Sequence, residues 1–281
     1  MHVQQKNSML CPGCRKLISR SEEKCPYCGI RNPGSWLKNN RLVTSLSNPD
    51  QLIRMVLYAN ITMFVLSILL NPGRANFNIG PFSFLSPGDR SLLLLGATGT
   101  VPILKLHRWW SLLSANYLHG GLLHIIFNMI ALHQLGPLVA REFGTHRMFA
   151  IYTLGGVLGF FVSFLAGIPF TIGASAAVCS LIGALLYYGK SRGGTYGQAV
   201  YSQIGSWAIM IMVFGFLVPG INNWGHGGGM AAGAALAYLL GYHEVKRETP
   251  GHRLLGVACG VATLLVLAWA GLNGLSLVLL R

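Results

Sequence analysis

GASAAVCSLIGALLYYGK, residues 173–190, is apolar up to its last residue and still short for a membrane span. From Ala174 to Lys190 a helix covers only ~25 Å, less than the ~30 Å of a hydrocarbon layer. A helix of this length is expected to begin below the membrane surface, with Gly173 introducing it and Ser175 at its start. Free backbone N–H groups and the helix dipole can stabilise an oxyanion at such an end. Ser175, Cys179 and Gly183 then recur at four-residue spacing along it.

The remainder of the chain sets this segment in a bilayer. Of its 281 residues 52% are hydrophobic and 10% charged, with a mean hydropathy of +0.52, outside the range of ordinary soluble domains. Spans of about the length that crosses a membrane are read near 51–70, 118–140, 147–167, 174–190, 200–219, 225–243 and 254–280. With the N-terminus in the cytoplasm, nine Lys and Arg lie before or at the first span. Arg141, Arg147, Lys190, Arg192, Lys246, Arg247 and Arg253 join them inside. Arg74, Arg90, Lys105, Arg108 and Arg281 lie outside. This division follows the positive-inside rule and suggests a bacterial inner membrane. No signal peptide is expected, because the first fifty residues contain no apolar run of the required length. The net charge of +14 thus reports topology. No basic stripe interleaved with aromatics points to nucleic acid.

Cys11-Pro-Gly-Cys14 and Cys25-Pro-Tyr-Cys28 have the spacing of a zinc ribbon, in which two CxxC turns direct four thiolates at one ion. Fewer than thirty residues bury little core, so metal binding would supply the folding free energy. Two disulfides are the alternative, and a reducing cytoplasm disfavours them. Residues 32–50, with Pro33, Gly34 and Pro49, read as a linker. Cys179 and Cys259 read as small buried hydrophobes.

Polar side chains are costly within spans. His124 and Asn128 in the second span share a helix face at i and i+4, Ser175 opens the fourth and His226 opens the sixth. These three spans run in the same direction, so the four groups lie at similar depth. Gly229 and Gly233 after His226, with Gly183 after Ser175, would let two helices approach closely enough for the serine and the histidine to meet. The acids Glu22, Glu23, Asp50, Asp89, Glu142, Glu244 and Glu248 are not placed to orient His226. A catalytic site here is therefore a dyad. An aspartyl intramembrane protease would need two carboxylates, a zinc protease an HExxH helix, and a transporter paired half-helices or charges along a path. Taken singly, Ser175 has the reading of a cap and His226 that of an interhelical hydrogen bonder. His107, Trp109 and His119 read as residues of the outer loop or its edge, and His133 as an outer-face residue.

Arg108-Trp109, the run from His119 through His124 to Asn128, Gly173-Ala-Ser175, and His226-Gly-Gly-Gly229-Met-Ala-Ala-Gly233 together resemble the rhomboid family over residues 51–245. The resemblance implies that Ser175 attacks the scissile carbonyl and that His226 is general base and then acid. It also implies an oxyanion hole formed by His124, Asn128 and the Ser175 N–H. The family commonly has Gly after the serine and Tyr four residues after it, where this chain has Ala176 and Cys179. The expected fold is an all-α polytopic membrane protein. A ribbon over 1–31 and a linker over 32–50 precede a six-helix core over 51–245, and a seventh transmembrane helix lies within 246–281. The expected activity is intramembrane serine endopeptidase, with no catalytic cofactor and a structural Zn²⁺ held by Cys11, Cys14, Cys25 and Cys28. Its partners would be transmembrane protein substrates cut near the outer face, the lipid bilayer and a cytoplasmic partner of the ribbon, with no nucleic acid. The alternative is a weak or inactive relative that binds transmembrane clients.

Overall fold

Residues 7–35, 48–70 and 84–279 are described by the computed structural model, so positions 36–47 of the expected linker, together with Arg74 and Arg281, lie outside the described residues. The chain divides into two units, Met1–Leu52 and Ile53–Arg281. In the first, β1 (Ser8–Leu10) pairs antiparallel with β2 (Leu17–Ser19) in the register Leu10↔Leu17 and Met9↔Ile18. Alternation along the strands sends Met9 and Ile18 inward, where with Ile30 they pack on Cys11, Cys14 and Cys25.

The second unit is helical. After α1 (Pro49–Leu69) come two short helices, α2 (Asp89–Leu94) and α3 (Ser111–Ser114). Six long helices follow: α4 (Leu122–Phe143), α5 (Thr145–Leu165), α6 (Ser175–Arg192), α7 (Gly194–Leu217), α8 (Asn223–Leu240) and α9 (Pro250–Leu279). Each of the seven expected spans is a helix. The second begins at Leu122, later than the sequence suggested, because residues 115–117 form a separate short turn and Gly121 is extended. Helices α1, α4, α5, α7 and most of α9 are long and apolar enough to cross a membrane, and the chain is a multi-pass membrane protein. Helices α6 and α8 have only 18 residues each. The first of them is enclosed instead: α6 is surrounded by α4, α5, α7 and α8, and its residues from Ala176 to Leu185 are all buried.

With no water to expel between helices in lipid, close van der Waals contact has to hold them. Glycine supplies that contact here. A Cβ at Gly183 would stand 1.9 Å from Met230 O, one at Gly233 1.9 Å from Ser180 O, and one at Gly229 2.3 Å from Ala176 O. The contacts pair early residues of α6 with early residues of α8, so the two helices run parallel with their backbones touching. On the neighbouring side, a Cβ at Gly155 of α5 would lie 2.2 Å from the Ser180 Cβ, and Ser180 Oγ donates to Ile151 O at 2.8 Å.

The opposite ends of these helices are fastened by charge. Arg147, with 0% exposure, donates through Nη1 to Leu240 O, Gly241 O and Lys246 O at 3.2, 2.6 and 2.9 Å. The first two are carbonyls at the end of α8, left without helical partners, and the third belongs to the turn beyond it. Arg192 Nε donates to both carboxylate oxygens of Glu244 at 3.0 and 2.9 Å. Outside the spans, Glu248 accepts from the His146 N–H and pairs with its Nδ1, at 3.2 and 3.1 Å. Burial pushes the Glu248 carboxyl up, and the His146 contacts pull it below its usual range.

Replacing Gly233 by Val should destabilise the helical unit by about 1–3 kcal/mol or more, since backbone must move to admit a side chain. Ala at Gly205 of α7, where a Cβ meets nothing within 4 Å, should be neutral or gain up to about 1 kcal/mol. Unfolding in mixed micelles measures both, and equal destabilisation would contradict backbone contact as the origin of the packing.

Candidate active site and cysteine cluster

Ser175 is the first residue of α6. No side chain caps that end, and Val178 N–H makes the bond to Ala174 O at 2.9 Å. The N–H groups of Ser175, Ala176 and Ala177 therefore have no acceptor within the helix. The chain approaches this point as an extended segment held on both sides. Thr171 exchanges two backbone hydrogen bonds with Thr98, at 2.7 and 3.1 Å, and Gly173 N–H donates to Ala115 O at 2.9 Å. Gly173 has φ +128°, a conformation that strains any L side chain. A Cβ there would also lie 2.8 Å from His124 Nε2 and 3.4 Å from Ser175 Oγ. The imidazole of α4 and the hydroxyl of α6 thus flank one bare Cα.

The tautomer of His124 follows from its neighbour. Its Nδ1 accepts the Gly120 N–H at 3.2 Å, which puts the proton on Nε2, the nitrogen beside Gly173. Asn128 is buried, and its Nδ2 donates to His124 O at 2.9 Å. One amide hydrogen is left for another acceptor. His226, 7% exposed, lies in the first turn of α8, and three residues on Gly229 touches the carbonyl of Ala176. The first turn of α6 therefore adjoins the second turn of α8, which follows His226. The His226 Nδ1 has no hydrogen-bond partner, and among the described residues no hydrogen bond joins His226 to Ser175.

The N-terminus of α8 is fixed by a residue that the sequence reading passed over. Asn222 Oδ1 accepts Gly225 N–H at 3.0 Å as an N-cap. Its Nδ2 donates to Ser163 Oγ at 2.8 Å and to Thr171 Oγ1 at 2.9 Å. One side chain therefore ties α8 to α5 and to the strand that leads to Ser175. An Asn before a helix is a cap signal readable in sequence, but its two hydroxyl partners are not. His119, placed at the loop edge by the sequence, is fully buried and packs edge-on against His124 at 5.1 Å between ring centroids. Trp109 is half-exposed and packs edge-on against Phe164, Arg108 Nη1 donates to Leu93 O at 2.7 Å, and His133 is exposed.

The Rhomboid domain family matches residues 106–243, the stretch that contains all of these side chains. RHOMBOID-like protein 5 of Arabidopsis thaliana is 32% identical over 227 residues, covering 72% of this chain and 73% of its own length. The chain belongs to the rhomboid family. RHOMBOID-like protein 4 of Arabidopsis thaliana is 32% identical over 207 residues, 67% of this chain and 52% of that protein. Rhomboid protease GluP of Bacillus subtilis (strain 168) is 34% identical over 165 residues, 59% of this chain and 32% of that protein. This rhomboid therefore spans about half the length of one of these two relatives and a third of the other.

The amino-terminal unit of this rhomboid brings together the four cysteines singled out by their spacing. Their sulfurs all lie within 4.8 Å of one another, with Cys11 to Cys28 at 3.6 Å and Cys14 to Cys25 at 3.7 Å. A tetrahedral ion with metal–sulfur distances of ~2.3 Å sets its ligands ~3.8 Å apart, so the cluster fits a metal centre and all four cysteines are free of disulfides. Burial opposes ionisation of Cys11, but the backbone N–H groups of Cys14 and Gly13 and the neighbouring thiols pull it below its ordinary range, while at Cys28 the Ile30 N–H is outweighed by burial and the neighbouring thiols, which push it up. A thiolate at neutral pH is the form that ligates.

Asn222→Ala removes the cap and leaves two buried hydroxyls without their donor, which should cost about 1–3 kcal/mol. Hydrogen exchange in micelles should show faster opening of residues 168–173 and of the first turn of α8 together. Unchanged exchange in both segments would contradict their coupling through Asn222.

Proposed function

We propose that this rhomboid is an intramembrane serine endopeptidase acting on transmembrane proteins, with Ser175 as nucleophile and His226 as its base. The observation that carries the reading is the convergence at Gly173. A serine hydroxyl, a protonated His124 Nε2 and the free N–H groups of a helix start surround one small space, with an imidazole carried by the adjoining helix. The reading requires the Ser175 hydroxyl and the His226 imidazole to come within hydrogen-bond reach, an alignment that catalytic groups commonly reach only when substrate is bound.

His226 accepts the Ser175 proton while Oγ bonds to the scissile carbonyl carbon. The carbonyl oxygen becomes an oxyanion that receives hydrogen bonds from His124 Nε2, the second Asn128 amide hydrogen and the Ser175 N–H. The tetrahedral intermediate collapses as His226 returns the proton to the leaving amine. Water, deprotonated by His226, then attacks the acyl carbon, and as the bond to Ser175 Oγ breaks His226 returns the proton to that oxygen, releasing the acid product and restoring the hydroxyl. No carboxylate partners the His226 Nδ1 among the described residues, so the base acts in a dyad. The likeness to a rhomboid protease of Bacillus subtilis supports this reading, and the positive-inside division of basic residues favours cleavage near the outer face with the ribbon in the cytoplasm.

Ser175→Ala and His226→Ala should each lower cleavage of a reporter single-pass substrate in proteoliposomes by at least about 10³-fold. Cleavage by Ser175→Ala at the wild-type rate would rule out Ser175 as nucleophile, and a wild-type chain that binds the substrate without cutting it would support a client-binding relative. The cysteine cluster is assigned a structural Zn²⁺, which contributes folding free energy to the ribbon when bound. One zinc per chain is expected by elemental analysis. Its chelation should unfold residues 7–35 in hydrogen exchange without changing cleavage directly, whereas a metal-free chain with an intact ribbon would refute the assignment.

A further inference from the structure

The ribbon turns one face of its hairpin toward the cysteines, and on the other face an exposed leucine pair stands beside Ser8 and Ser19. Leu10 and Leu17 lie directly opposite each other across the strands, 60% and 65% exposed. Tyr27, 58% exposed, borders the same shallow depression as Leu17. Scattered exposed apolar side chains need no explanation, but contiguous ones on so small a module mark a contact surface. Cations surround these three. The Lys16 Nζ stands 4.6 Å from the centroid of the Tyr27 ring, and Arg15 and Arg20 are exposed at the two ends of β2. Glu22, exposed on the rim of the depression, is the acid that opposes them. Residues 1–47 hold eight Lys and Arg against Glu22 and Glu23. A divalent ion on four thiolates would cancel two of those charges and leave the segment basic.

Apolar side chains ringed by cations match the boundary between acyl chains and anionic headgroups. The tether favours the same occupant. Residues 36–47 join the ribbon covalently to a helix that enters the bilayer from Pro49, so a lipid surface is always at high effective concentration. We propose that the ribbon docks on an anionic lipid surface. Leu10, Leu17 and Tyr27 enter the interface, and Arg15, Lys16 and Arg20 meet the phosphates.

Hydrogen exchange of the full chain tests this in nanodiscs of phosphatidylcholine alone and of equal parts phosphatidylcholine and phosphatidylglycerol. Exchange in residues 8–19 should slow by at least about threefold in the anionic discs, as docking closes a local opening route. The slowing should vanish at high salt, in Leu17→Glu, and in the double variant Lys16→Glu with Arg20→Glu. Metal content equal to wild type shows that each variant keeps its fold, and the charge variant leaves the apolar face untouched. Equal exchange in both discs overturns the proposal. So does slowing by polyglutamate in neutral discs without any in anionic ones, which would assign the face to an acidic protein.

Discussion

Everything in the helical unit depends on α6 and α8 touching backbone to backbone. A bilayer provides no hydrophobic force between helices and no water to satisfy a stray polar group, so two short helices carrying a hydroxyl and an imidazole have to be held by contact alone. Gly183, Gly229 and Gly233 remove the side chains that would separate them. The remaining constraints act at the ends: Asn222 binds the start of α8 to Ser163 and Thr171, and Arg147 closes its far end. The helices that carry Ser175 and His226 are thus held by several independent contacts.

The site is assembled without a carboxylate, which has a physical logic in lipid. A buried anion beside His226 would itself need desolvation and a counter-charge. Fixed dipoles supply polar contacts elsewhere in the site without adding a charge. The Gly120 N–H sets the His124 tautomer, and the uncapped first turn of α6 offers N–H groups that carry no net charge. Gly173 leaves the space between them empty.

Much of this was readable before any coordinates, and the parts that were not share a cause. The seven apolar runs, the short fourth helix, the Gly pattern after His226 and the CxxC pairs are local patterns whose spacing carries their meaning. The partners of Asn222 lie 51 and 59 residues away, and no periodicity links them. Arg147 shows the same limit in another form. As a flank of a span it counted toward the positive-inside rule, but it is fully buried and binds carbonyls near the end of α8. His119 was read as a residue of the interfacial belt, whereas its ring lies wholly inside against His124. Burial depends on what the loops cover, and loop packing is set by contacts distant in sequence. The roles proposed for Ser175, His226, His124 and Asn128 rest on their chemistry and on family likeness.

An experimental structure of the chain after reaction with a fluorophosphonate addresses the proposed dyad directly. The account predicts a covalent bond from phosphorus to Ser175 Oγ, a phosphoryl oxygen within hydrogen-bond distance of His124 Nε2 and the Ser175 N–H, and the His226 imidazole turned toward the adduct. An adduct on another residue, or an unmodified Ser175 with His226 directed away from it, would contradict the account.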